Sequence, residues 1–93
     1  PTQIPVLKDN IAPFLQENGI FLIGVEHPSV DALDSKELLA HHALYKHGIH
    51  ILENLLLQDV SPGDYELIAL PLKIQGADGS PVRAVIRKMN DLL

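Results

Sequence analysis

Glu37-Leu-Leu-Ala-His41-His42-Ala-Leu-Tyr45-Lys-His47-Gly48-Ile-His50-Ile-Leu-Glu53-Asn54 is the stretch whose reading decides the fold. Asp34 followed three residues later by Glu37 has the form of a capping box, so a helix is expected from about Ser35, stopped at His47-Gly48. Ile49 to Leu52 then makes a short apolar strand with Glu53 at its C-terminal end, where open α/β sheets tend to bind ligands. Twelve residues separate His41 from Glu53. Local geometry cannot join them across that interval, whereas a helix folding back on a buried strand can.

The same logic runs upstream. Asp9 or Asn10 can cap a helix carrying Pro13 in its first turn and Ile11, Phe14 and Leu15 on one face, with Gly19 ending it. Ile20-Phe-Leu-Ile-Gly-Val25 follows as a continuous apolar run, the pattern of a strand covered on both faces. Glu26 to Asp31 leaves that strand through a loop that Pro28 keeps from becoming helical. Residues 1–8 read as a lead-in.

Downstream, Leu55 to Val60 reads as a turn or two of helix capped by Asn54, and Ser61-Pro62-Gly63-Asp64 as a type II turn. Tyr65 to Ile74 is strand-like, with Pro71 implying an edge or a bulge. Val82, Ala84 and Ile86 alternate with Arg83, Val85 and Arg87 as in a half-buried strand, and the two strands pair as an antiparallel hairpin. Lys88 to Leu93 reads as a frayed end or short helix. No repeat or internal boundary is visible, so residues 1–93 read as a single domain.

Composition narrows the function. Ninety-three residues with 46% hydrophobic content can bury only a modest core. The absence of cysteine removes disulfides, thiolate ligands and cysteine nucleophiles. A net charge of −5, with dispersed basic residues, argues against nucleic acid as a partner. Apolar runs far below the roughly 18 residues of a membrane span exclude a spanning helix. The chain therefore reads as a cytoplasmic protein, and its start at Pro1 suits a piece of a longer polypeptide.

His41, His42, His47, His50 and Glu53 make a nitrogen-and-oxygen ligand set suited to Zn²⁺ or Mn²⁺. The competing account is that histidines cap carbonyls or stay solvated. On a helical wheel His42 falls between Leu38 and Leu39, which favours it over His41 as the buried histidine. Glu53, a carboxylate directly after an apolar strand, requires a cation, helix N–H groups or Arg83. Asp31 and Asp34 read as caps or Asx-turns, Ser29 as a turn residue. Arg83 suits either an anionic substrate carboxylate or a surface ion pair. No Gly-x-Ser-x-Gly elbow, P-loop or Gly-x-Gly-x-x-Gly fingerprint occurs.

Taken together, Leu22-Ile-Gly-Val-Glu-His-Pro-Ser-Val-Asp31, His41-His42, Gly48-Ile-His-Ile-Leu-Glu-Asn54, Ile68-Ala-Leu-Pro-Leu72 and Asp78-Gly-Ser-Pro-Val-Arg83 resemble the C-terminal half of the cyclase-like metal-dependent hydrolases, nearest their arylformamidase branch. The resemblance covers residues 9 to 87 in order. It implies an α/β fold, the C-terminal portion of a three-layer β/β/α swivelling domain with a mixed sheet and a C-terminal antiparallel hairpin. It also implies one or two divalent ions, Zn²⁺ or Mn²⁺, and hydrolysis of N-formylkynurenine to kynurenine and formate in tryptophan breakdown.

Position by position, the resemblance makes His41 a ligand of the second metal and Glu53 a bridge between both, which overrules the helical-wheel preference for His42. The family's main ligand motif, His-x-Gly-Thr-His-x-Asp-x-Pro-x-His, belongs to its N-terminal half, together with the general acid/base. Nothing in this chain matches it, so no catalytic residue is assigned here and the isolated chain is expected to be inactive. Glu26 stands where the family often has Asp, followed by His27, which leaves that loop's role open. The implied partners are a small formamide substrate and either further copies of the chain or the N-terminal half. The alternatives are a related hydrolase acting on another amide or ring, and a catalytically silent dimerisation or scaffold module.

Overall fold

The computed structural model describes residues 7–92. The lead-in expected over residues 1–8 therefore lies almost wholly outside the described residues, as does Leu93. The chain divides between Asp59 and Val60 into two compact units.

The first unit is a strand–helix–strand arrangement with one preceding helix. Helix α1 (Ile11–Glu17) leads to β1 (Leu22–Gly24), then α2 (Leu39–Lys46), then β2 (His50–Leu52). The two strands pair in parallel, Leu22 opposite His50, Ile23 opposite Ile51 and Gly24 opposite Leu52. Parallel neighbours need a crossover connection, and α2 provides it.

Both helices stop where glycine allows. Gly19 and Gly48 have φ of 74° and 71°. After α2, Ile49 N–H donates to Leu44 O at 2.9 Å and Gly48 N–H to Tyr45 O at 3.0 Å, and the end of α1 repeats this pattern through Ile20 and Gly19. These paired bonds satisfy carbonyls that the helix leaves open. Ala12, Val30, Ala40, Leu44 and Ile49 form the buried core, with Leu15, Ile23, Val25, Ala43 and Ile51 packed around it. The expected apolar face of α1 is displaced: Ala12 is its buried residue, and Phe14 is 62% exposed.

Helix α2 begins later than the capping box suggested. Asp34 and Glu37 lie outside it, and Leu38, with a left-handed φ of 50°, precedes its first residue. The cap comes instead from Asp31, through tertiary rather than local contacts. Leu55 to Val60 is not helical. Asn54 sits at φ 62°, outside the backbone range of an N-cap, while Leu55 N–H donates to Val25 O and Leu57 N–H to the Glu26 carboxylate, each at 3.0 Å.

The second unit is the expected antiparallel hairpin, shorter than expected. Strand β3 (Tyr65–Ala69) pairs with β4 (Ala84–Lys88) from Tyr65 opposite Lys88 to Ala69 opposite Ala84. Strand β3 ends before Pro71, which has no amide hydrogen to continue a ladder, so neither an edge nor a bulge is needed. Glu66 and Arg87 face each other in register and form an ion pair at 2.6 Å. The type II turn is absent: Pro62 and Gly63 form a bend, and Gly63 has no positive φ. A 3₁₀ turn, Met89–Leu92, follows β4. No helix is long and apolar enough to cross a membrane among the described residues.

Candidate functional site

Three segments of the first unit meet at its polar centre. Asp31 lies within the loop between β1 and α2, His41 lies in the first turn of α2, and Glu53 directly follows β2. Strand β2 and helix α2 are locked by the Ile49–Leu44 turn, which carries Glu53 back beside His41. Nε2 of His41 lies 3.2 Å from Oε2 of Glu53, and Val30 N–H donates to the same oxygen at 3.3 Å. Side-chain exposure is 31% for His41 and 29% for Glu53, so solvent or a solute reaches the pair.

Asp31 is buried, at 7% exposure. Its Oδ1 accepts the Ala40 N–H at 2.9 Å, and its Oδ2 accepts both the His41 N–H at 2.9 Å and a contact from His41 Nδ1 at 2.7 Å. Leu38 offers the helix no side-chain cap, so this carboxylate satisfies N–H groups that would otherwise be open. Burial pushes the Asp31 carboxyl up. The backbone N–H groups of His41 and Ala40, then the His41 ring, outweigh it and hold the group below its ordinary 3.8.

The other histidines do not join the cluster. His42 is exposed, because the wheel that placed it inward was phased on Leu38 and Leu39, whereas the buried face of α2 is Ala40 and Leu44. His47 contacts Ala43 O through Nδ1 at 2.8 Å, a helix-end role, and His50 is exposed at the start of β2. Glu53 pairs with His41 and accepts from Val30 N–H. Sequence alone reads Asp31 as a cap or an Asx-turn and does not show its contact with the His41 ring; no short motif spans the interval that separates them.

The His41 and Glu53 donors fit a divalent cation as part of a coordination shell. Their 3.2 Å separation matches the edge of about 3.3 Å between two donors bound tetrahedrally at roughly 2.0–2.1 Å. Among the described residues no group of three or more His, Cys, Asp and Glu side chains is arranged to hold a metal ion, so what the site offers is a pair of donors and not a complete shell.

No protein-family model matches the chain. Two solved structures superpose on it closely: a potential metal-dependent hydrolase with cyclase activity (TM-score 0.75, 28% identity, 87% of this chain and 40% of that one), and a predicted metal-dependent hydrolase from Bacillus stearothermophilus (TM-score 0.77, 27% identity, 92% and 42%). The chain has the fold of part of a cyclase-like metal-dependent hydrolase. Within that fold its sequence is 70% identical over 87 residues to a kynurenine formamidase of Bacillus cereus (strain ZK / E33L), and 64% identical over 89 residues to one of Bacillus cytotoxicus. The matches take in 94% and 96% of this chain but 42% and 43% of the relatives. This cyclase-like segment thus spans about two fifths of the length of the curated relatives it matches.

Proposed function

We propose that the chain is the C-terminal part of a single metal-dependent hydrolase domain of arylformamidase type, which cleaves N-formylkynurenine to kynurenine and formate, with His41 and Glu53 as metal ligands. The observation that carries this reading is the convergence of His41 Nε2 and Glu53 Oε2 at 3.2 Å in a chain 70% identical to part of a kynurenine formamidase. His41 and Glu53 would hold a divalent ion, Zn²⁺ or Mn²⁺, which would supply Lewis-acid polarisation of the formyl carbonyl and lower the pKa of a water for attack. Glu53 brings negative charge, and Val30 N–H fixes the carboxylate oxygen that faces His41. His41 brings a ring nitrogen on a helix whose start is pinned by Asp31. Departure of the aniline nitrogen requires a proton, and the donor belongs to the N-terminal half of such a hydrolase rather than to any residue of this chain. The 93 residues alone therefore hold metal weakly and turn over no substrate. Association with that half completes the site, and the assembly is a homo-oligomer or a complex of the two halves, in a cytoplasmic setting that the absence of cysteine suits.

The deciding experiment is a formamidase assay with N-formylkynurenine on the intact protein, alongside metal analysis of wild type, His41→Ala and Glu53→Gln. Bound divalent metal and turnover in the wild type, both lost in the variants, are expected. Full activity in either variant overturns the ligand assignment, and Zn²⁺-dependent turnover by the 93-residue chain alone overturns the half-site view. The structural neighbour with cyclase activity favours one second reading, a cyclic amide substrate. Ring opening in preference to formamide cleavage in the same assay decides for it.

A further inference from the structure

We propose that Asp31 is a positioning residue for His41, holding the imidazole with its hydrogen on Nδ1 so that the Nε2 lone pair points toward Glu53 and any ion bound there. The proposal rests on the reading of His41 and Glu53 as ligands.

A helix cap explains only part of what Asp31 does. Capping is complete once Oδ1 takes the Ala40 N–H and Oδ2 the His41 N–H. The additional contact, Oδ2 to His41 Nδ1 at 2.7 Å, returns to the same residue whose N–H that oxygen already holds, closing a ring through the backbone and side chain of His41. An ionised carboxylate only accepts, so Nδ1 is the donor. The hydrogen bond at one ring nitrogen decides the state of the other, and here the other faces Oε2 of Glu53 at 3.2 Å. Two lone pairs aimed at each other across that distance call for a cation or proton between them. Without Asp31 the imidazole, one third exposed, is free to turn into water or to place its hydrogen on Nε2, where it no longer ligates. Carboxylates that orient metal-bound histidines in this way typically affect affinity by about 10–100-fold.

The test is nitrogen-15 NMR of the histidine rings in the metal-free intact protein at pH about 8.5, where an ordinary imidazole is neutral, combined with Zn²⁺ titration against a chromophoric chelator. In the wild type, His41 is expected to carry hydrogen on Nδ1. Asp31→Asn can still accept a helix N–H but turns an amide NH₂ toward Nδ1. It is expected to move the hydrogen to Nε2 and weaken Zn²⁺ by about 10–100-fold with an unchanged circular dichroism spectrum. A wild-type ring bare at Nδ1 overturns the proposal without recourse to any variant. So does an Asp31→Asn protein that keeps both tautomer and affinity, or that loses thermal stability alone. Glu53→Gln with unchanged Zn²⁺ affinity instead sinks the ligand reading, and the wild-type tautomer reports on Asp31 separately.

Discussion

Nε2 of His41 stands 3.2 Å from Oε2 of Glu53, although the two residues lie on a helix and after a strand that are joined only through the turn at Gly48. Neither side chain belongs to the core, so their removal is expected to affect binding and not folding. Glu53→Gln and His41→Ala should each weaken Zn²⁺ by more than the roughly 10–100-fold typical of outer partners. Competition titration measures this directly, and a change of less than tenfold would contradict a direct ligand role.

Acid stability should follow Asp31. Its folded pKa lies below the ordinary 3.8, so its contribution is complete above that value and fades as pH falls through the lower folded value. Helical signal followed by circular dichroism from pH 5 downward should decline in that low window in wild type. Asp31→Asn should be less stable near neutrality and lack this component; an identical acid profile in the variant would assign the transition to other groups.

The turn after α2 depends on backbone conformation and the core beside it on volume. Gly48 holds φ 71° and a Cβ there would meet nothing within 4 Å, so Gly48→Ala should cost about 1–2 kcal/mol from strain alone. Leu44, 1% exposed, should cost about 2–5 kcal/mol as Leu44→Ala. Urea denaturation separates the two, and Gly48→Asn should recover part of the first loss because Asn tolerates the left-handed region. Equal costs for Ala and Asn at Gly48 would contradict backbone strain as the source of the loss.

Asn54 aims Glu53. Its φ of 62° turns the chain immediately after the carboxylate, and Asn54 N–H donates to His27 O at 3.0 Å. Asn54→Gly should be nearly neutral, whereas Asn54→Val should cost about 1–2 kcal/mol and weaken metal binding with it. Retained affinity in Asn54→Val would show that the Val30 contact alone orients Glu53.

The strand–helix–strand order, the C-terminal hairpin and the glycine stops were legible because apolar runs and chain-reversing glycines are local signals; the parallel pairing of β1 with β2 was not, because it joins segments far apart in the chain. The start of α2 was not, since Asp31 caps it from the preceding loop and a capping box at Asp34 and Glu37 looks the same in sequence whether or not it is used. His42 was misplaced for a related reason: a helical wheel takes its phase from the largest apolar residues, and here small Ala40 sits at the centre of the buried face while Leu39 is exposed. Glu53 was recognisable as a carboxylate in need of a partner. Its pairing with His41 is a product of the fold, and so is the grip of Asp31 on the imidazole ring.

The left-handed Leu38 and the anchor at Asp31 fasten the two ends of residues 32–37, and Ser35 ties the segment within, its N–H donating to Ala32 O at 2.9 Å and its Oγ accepting the Leu38 N–H at 3.1 Å. A fluorophore coupled to the exposed Lys36 leaves all of these bonds in place, which makes that side chain a natural handle for surface attachment or distance labelling.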